Sequence, residues 1–341
     1  MYDLKVNILY RFTDLPYGGG NQFLKALREE FVNLKVYTEE IKDADIILFN
    51  SHHFLNDVLK LRMIYPGKVF IHRIDGPIGL IRNDRKTDKL IFDINNLVAD
   101  GTVFQSYWSK KKNKDIGFKT KSPVEVIINA TNKDIFQTRK NKSLNKSRVK
   151  LIAISWSSNW KKGFQYYKWL DDNLDFSRYY FTFIGNSPVT FKSIKHIKPV
   201  RSKVLAEILS ENDIFLIFSE SDPCSNSLIE ALQIGLPSIV LNDGGHPEIL
   251  KEGGIVIDKM EEIIPAINDI CNNYEYYKRK IKIPDIKEVA LKYYGFFKKT
   301  QKNNTGNFIK ILIYYIKLKL YRFYYCVRKK IGKIKRQFCS K

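Results

Sequence analysis

The feature that most constrains this chain is a strand–helix alternation that runs through it twice. Short apolar runs, β-branched or aromatic, occur at 5–10 (KVNILY), 45–49 (DIILF), 68–73 (KVFIHR), 102–105 (TVFQ) and 124–128 (VEVII). Helical patterns lie between them near 20–31, 54–64, 84–97 and 106–113. A polar, basic stretch without apolar periodicity follows at 137–148 (QTRKNKSLNKSR), and the alternation then restarts. The second set of runs is at 149–155, 179–185, 213–218, 237–241 and 254–257, with helical patterns near 163–174, 202–211, 226–234, 260–279 and 285–298. Apolar strands separated by helices make a parallel sheet covered on both faces. Two such sets joined by one linker predict two Rossmann-like α/β/α domains facing across a cleft. The expected organisation is an N-terminal domain over 1–136, a linker over 137–148 and a C-terminal domain over 149–284. A terminal helix over 285–300 should return toward the first domain, ahead of a basic tail over 301–341.

The length of 341 residues fits two domains at roughly 150 residues each. Four cysteines, Cys224, Cys271, Cys326 and Cys339, are scattered and form no CxxC pair. That spacing argues against a disulfide framework or a cysteine zinc site and favours a reducing, cytoplasmic setting. The first residues, MYDLKVNILYRF, carry an acid at position 3 and no long apolar run, so they read as a first strand and not as a signal peptide. Net charge is +22, and residues 301–341 hold twelve Lys or Arg and no acid, leaving +10 on the first 300 residues. Such a tail seeks anionic surfaces.

The most informative stretch is 218–248, FSESDPCSNSLIEALQIGLPSIVLNDGGHPE. A strand ends near Phe218, and a polar loop leads into a helix that Ser225 or Asn226 can cap. Asp222 lies on the loop and Glu230, eight residues on, lies on the helix. A loop at the carboxyl end of a parallel strand, opening into a helix at Ser225, Asn226 and Ser227, offers backbone N–H groups to an anion. Two carboxylates beside it can accept hydrogen bonds from sugar hydroxyls. Gly235 and Pro237 stop the helix before the next strand. Gly244 and Gly245 follow that strand, where a glycine pair allows close backbone approach to a ligand.

This stretch resembles the family-4 (group 1) glycosyltransferases of GT-B fold. Their signature is a carboxylate, seven residues, Glu, a Glu-Ala-x-x-x-Gly-x-Pro run and a Gly-Gly-x-Pro-Glu loop. Its counterparts are Asp222, Glu230-Ala231, Gly235, Pro237, Gly244-Gly245, Pro247 and Glu248, with Asp in place of the usual first Glu. The resemblance covers about residues 4–298. It implies that Glu230 binds the ribose of a nucleotide and that Asp222 contacts the donor sugar. It also implies a Lys-Gly pair at the first helix of the second domain, here Lys162-Gly163. A lysine there can neutralise a departing diphosphate. The Arg that often precedes that lysine by five residues is Ser157 here.

In the first domain Gly18-Gly19-Gly20 stand between a strand and a helix, as either an acceptor or phosphate loop or a plain turn. In HRIDGP (72–77), Asp75 aligns with the family's functional His. It has two readings, a carboxylate positioning an acceptor hydroxyl or a turn-forming Asp before Gly-Pro. His72 reads as a strand histidine. Ser106 in FQSYWS is a natural helix N-cap.

The resemblance implies a retaining glycosyltransferase with a nucleotide-diphosphate sugar as donor substrate, no cofactor and no catalytic metal. The expected acceptor is a glycan or lipid-linked glycan of a bacterial surface polysaccharide or lipopolysaccharide. The tail predicts a peripheral place on the inner face of the cell membrane. Residues 308–326 are rich in Ile, Leu, Tyr and Phe but interrupted by Lys310, Lys317, Lys319 and Arg322, which argues against a spanning helix. Residues 328–336 (RKKIGKIKR) add a basic cluster. A helix packed back on the first domain is the other reading of the tail. Two rivals stand beside the enzyme: a GT-B protein that only binds a sugar nucleotide or glycan, and a nucleic-acid binder. No nucleic-acid-binding motif supports the second, and no nucleic-acid partner is expected.

Overall fold

The structure is a computed structural model and describes residues 3–13, 19–137, 144, 147–300 and 308–320. Most of the 137–148 linker, Gly18 and the 328–336 cluster lie outside the described residues.

The first sheet is built from β1 (Val6–Leu9), β2 (Ile46–Asn50), β3 (Val69–Ile74), β4 (Gly101–Phe104) and β5 (Val124–Val126), in that order. All its pairings are parallel. The helices between are α1 (Gly19–Asn33), α2 (Leu55–Ile64), α3 (Ile78–Arg82), α4 (Arg85–Val98) and α5 (Tyr107–Asp115). Strand side chains alternate between two cores, as a pleated strand requires. Ile46 and Leu48 join the α1 side, whereas Ile47 and Phe49 join the α2 and α4 side.

The second sheet contains β6 (Val149–Ser155), β7 (Tyr179–Gly185), β8 (Lys195–Ile197), β9 (Ile214–Ile217), β10 (Ser238–Leu241) and β11 (Gly254–Ile257). Its spatial order is β11-β10-β9-β6-β7-β8, parallel throughout. The helices α6 (Phe164–Asn173), α7 (Ser202–Glu211), α8 (Asn226–Ile234), α9 (His246–Leu250), α10 (Ile263–Asn272) and α11 (Tyr274–Lys280) cover its faces. The strand order reverses between β6 and β9, so their carboxyl ends open a crevice at the topological switch point. The molecule is two parallel-sheet α/β domains, the architecture expected from the alternation.

Two details depart from the sequence reading. The pattern over 260–279 divides at Asn273 into α10 and α11. The edge strand β8 has only three residues with little burial, too short for a period to show. Residues 308–320 form a helix, α13, packed on the first domain, which is the second of the two readings of the tail. Its Ile311 sits in the core beside Phe49, Val58 and Val98, with Tyr314, Tyr315 and Leu318 packed around it. The helix before it, α12 (Ile286–Lys299), buries Val289, Ala290, Tyr293 and Phe297 against the first sheet and α1. The chain thus leaves the second sheet and ends its described part on the first.

Candidate active site at the switch point

Lys162 and Asp222 come from the loops after β6 and β9, the two strands that flank the reversal. A short 3₁₀ turn, Trp160–Lys162, follows β6, and Gly163 closes it with φ of 87°. That left-handed conformation disfavours any residue with a Cβ. A Cβ at Gly163 would also lie 2.6 Å from the Phe218 carbonyl oxygen. The glycine therefore lets the turn after β6 press against the end of β9. Two hydrogen bonds tie the loops: Glu220 donates its amide to the Lys161 carbonyl at 2.7 Å, and Gln165 Nε2 donates to Glu220 Oε1 at 3.1 Å. Lys162 Nζ then meets Asp222 Oδ2 at 2.9 Å.

Asp222 is mostly enclosed, with 13% of its side chain exposed. Burial alone would raise its pKa, but the Lys162 ammonium, His246 and the Cys224 amide outweigh it and hold the carboxyl below its usual range. The Cys224 amide donates to Oδ1 at 3.2 Å. Fully buried His246, the variable residue of the Gly-Gly-x-Pro-Glu loop, shares a 3.2 Å hydrogen bond with Ser219 beneath the carboxylate. Burial lowers the His246 pKa despite Asp222.

Glu230 is different in kind. It is 6% exposed, has no hydrogen-bond partner among the described residues, and burial pushes its pKa up to about 8. A buried carboxyl left without donors is costly in its ionised form, and a ligand that brings donors relieves the cost.

Around these groups, Ser225 caps α8 by accepting the Leu228 amide, and its hydroxyl lies 3.0 Å from that of Ser227. The glycine pair has a packing role that the sequence reading did not include. Gly245 donates its amide to the Asp222 carbonyl at 2.8 Å, and a Cβ on Gly244 would lie 2.3 Å from that oxygen. The close approach is to the Asp222–Pro223 turn, which the pair holds in place.

The first domain meets this turn directly. A Cβ on Gly76 would lie 3.1 Å from the Pro223 ring, so Asp75 stands one residue from the interdomain contact. Asp75 is held by Arg73 Nη1 at 3.1 Å and by Gln105 Nε2. Gly19, at the N-terminus of α1, faces Asn226, whose Nδ2 would be 2.2 Å from an added Cβ. The N-termini of α1 and α8 thus approach each other across the cleft. Gly20 has open space around it. His72 is fully buried, stacked on Phe49 at 4.2 Å and bonded to the Ser51 carbonyl, and burial lowers its pKa to about 4. It is a neutral strand histidine.

Several contacts of the cleft escaped the sequence reading. Fully buried Arg73 donates to Asn50 and to Asn129, and Asn129 in turn donates to Gln105 and to Asn226 of α8. Glu248 accepts the amides of Tyr107 and Trp108, at 2.8 and 2.6 Å, and so caps α5 from the other domain. His52 and His53 stack at 4.5 Å at the carboxyl end of β2, between the left-handed residues Ser51 and Phe54. The run SHHF directly after an apolar strand was the available signal for them. The others are polar residues whose partners lie tens of positions away.

Residues 191–283 match the family described as glycosyl transferases group 1. That match lies within the second domain. Spore coat protein SA of Bacillus subtilis (strain 168) is 33% identical over 97 residues, 27% of this chain and 24% of that protein. The match thus spans about a quarter of that curated relative. The two domains together superpose on HepE of Anabaena in complex with UDP-glucose, with a TM-score of 0.63 and 11% identity. That alignment covers 93% of this chain and 99% of HepE. Sucrose-phosphate synthase of Thermosynechococcus elongatus aligns with a TM-score of 0.55 and 12% identity, over 90% of this chain and 79% of the synthase. These structural likenesses show the GT-B fold, and the group 1 match falls in its C-terminal domain.

Proposed function

We propose that this protein is a retaining glycosyltransferase that moves a sugar from a nucleotide-diphosphate donor to a glycan or lipid-linked acceptor in bacterial surface polysaccharide or lipopolysaccharide synthesis. The observation that carries the reading is the pairing of Lys162 with Asp222 at the switch point, together with a Glu230 carboxyl on α8 that is buried and has no donor among the described residues. Each group has a task in that chemistry. Glu230 accepts the ribose hydroxyls, which supply the missing donors. The α8 N-terminus at Ser225, Asn226 and Ser227 faces the diphosphate, and the Gly244-Gly245 pair, whose amides are bonded to Asp243 and to the Asp222 carbonyl, holds the turn beside it. Lys162 turns from Asp222 toward the leaving phosphate as negative charge builds there. Asp222, freed from that ion pair and still held by the Cys224 amide, receives hydroxyls of the donor sugar. Asp75, fixed by Arg73 and Gln105 beside the interdomain contact, orients the acceptor hydroxyl, and Gly19 and Gly20, which stand in the first turn of α1 and not in a loop, offer that helix start to the acceptor or a phosphate. Retention follows from the family resemblance, and these residues complete the reading without a cofactor or metal. HepE was crystallised with UDP-glucose, so a UDP-sugar is the first donor to test.

The test is calorimetric binding of UDP-, GDP- and CMP-sugars to the purified protein, followed by transfer to candidate acceptors. Binding of one donor, lost in Glu230→Ala, with transfer lost in Lys162→Ala, is the expected outcome. Binding without transfer to any acceptor would support the sugar-nucleotide-binding reading instead. A cytoplasmic site at the inner membrane face belongs to the same proposal, since lipid-linked acceptors reside there.

A further inference from the structure

The helix α13 has two apolar faces, and only one of them is covered. At 100° per residue, Ile311, Tyr314, Tyr315 and Leu318 fall on one side, and these are the residues that pack on α2, α4 and the first sheet. Ile309, Ile313, Ile316 and Leu320 follow the spacing i, i+4, i+7, i+11 and fall on the opposite side. They are 64%, 44%, 47% and 62% exposed. Phe308 and Leu312 widen the stripe along one edge and are exposed as well. The lysines stand at its borders. By the same geometry Lys310 and Lys317 flank one edge and Lys319 the other. Lys317 lies over the Tyr314 ring and Lys319 over the Tyr315 ring, at the boundary with the docked face.

A contiguous apolar stripe on a docked helix is unusual on a water-facing surface. Bordered by cations, it matches the interfacial pattern in which aliphatic groups enter the acyl boundary and lysine stems snorkel to the headgroups. The chain that follows α13 adds eight more Lys or Arg and no acid over 321–341. That charge selects an anionic surface. No helix among the described residues is long and apolar enough to cross a membrane, and α13 lies flat on its domain.

We propose that the outer face of α13, centred on Ile309, Ile313, Ile316 and Leu320, is the surface by which this protein lies on an anionic bilayer. The basic tail strengthens this contact, but α13 sets the orientation, because its inner face is locked to the first domain. The membrane contact does not rest on the proposed lipid-linked acceptor.

The test uses the full chain without any sugar. Wild type, Ile313→Asp/Ile316→Asp and Ile311→Asp are compared by co-sedimentation with phosphatidylcholine vesicles and with phosphatidylglycerol–phosphatidylcholine vesicles. Wild type should bind the anionic vesicles far better than the neutral ones. The double substitution, which touches only exposed positions, should lower that partitioning roughly tenfold or more with an unchanged melting temperature and unchanged donor binding. Ile311→Asp should lower the melting temperature, since it attacks the docked face. Wild-type partitioning by the double variant would overturn the proposal and assign binding to the tail alone. A wild-type dimer that ignores vesicles and dissociates on the double substitution would also overturn it, because the stripe would then be a contact between two copies.

Discussion

Glu230 and Asp222 are both largely enclosed carboxyls beside one crevice, yet their proton affinities move in opposite directions because their neighbours differ. Asp222 has a cation and an amide, whereas Glu230 has only burial. The folded protein therefore keeps a proton on Glu230 up to about pH 8, while the unfolded chain releases it near 4.5. The stability this proton brings is present at low pH and is lost as pH rises from about 4.5 to 8. Glu230→Gln should therefore raise the melting temperature at pH 8 and leave it nearly unchanged at pH 4. Donor binding should run the other way. Ribose hydroxyls favour the ionised carboxyl, so binding expels the proton, and affinity should climb with pH until about 8 and then level off. In Glu230→Gln that climb should vanish, with affinity reduced by about 1.5–3 kcal/mol, the usual worth of a hydrogen bond to a charged group. Calorimetry in buffers of different ionisation enthalpy reads both effects. Lys162→Ala should cost on the order of 10²–10³ in turnover, as expected for losing one electrostatic partner of a leaving group. Steady-state kinetics on the folded variant would detect it, and unchanged turnover would reduce Lys162 to a tether for Asp222.

The turn after β6 is opened by the Asn159 side chain, which accepts the Lys161 amide, and closed by a backbone conformation at Gly163. Gly163 is at once the end of the 3₁₀ turn and the residue before α6, in a left-handed conformation pressed on Phe218. Gly163→Ala adds one methyl at a buried position. It should destabilise the protein by about 1–3 kcal/mol, the cost of a strained backbone, and it should displace Lys162 from Asp222. Thermal melting and donor affinity should fall together. A melt unchanged from wild type would mean that the turn relaxes away from Phe218 freely.

The two domains meet through contacts that reach from one helix end or strand end to another. Glu248 of α9 caps α5, Asn129 reaches Asn226, and Gly19 and Gly76 allow close approach to α8 and to Pro223. Glu248 is the simplest to test. Its carboxylate satisfies two amides at the positive end of a helix in the other domain. Glu248→Ala should weaken closure by roughly 0.5–2 kcal/mol, the range for loss of an N-cap. Hydrogen exchange at Tyr107 and Trp108 should accelerate accordingly, with little change inside either sheet. Protection unchanged at these two amides would show that the cap contributes nothing to closure.

The sequence by itself determined the two α/β domains, because strand and helix periods are local and each apolar run carries its own signal. It also singled out Asp222, Ser225 and Glu230, because each stands at a fixed offset from a strand end or a helix start, and Lys162 through the Lys-Gly pair that the family resemblance implies. Only the tertiary structure decided what those groups face. The ion pair of Lys162 with Asp222 joins residues 60 apart, and it exists because β6 and β9 are neighbours in space. The chain from Asp75 through Arg73 and Asn129 to Asn226 joins both domains, and nothing in the spacing of those residues announces it. The burial that lifts Glu230 depends on the packing of α8 as a whole. The two faces of α13 were equally apolar in the sequence. Which one turned inward was settled by the surface of the first domain, since hydrophobic burial is non-directional until a partner surface is supplied.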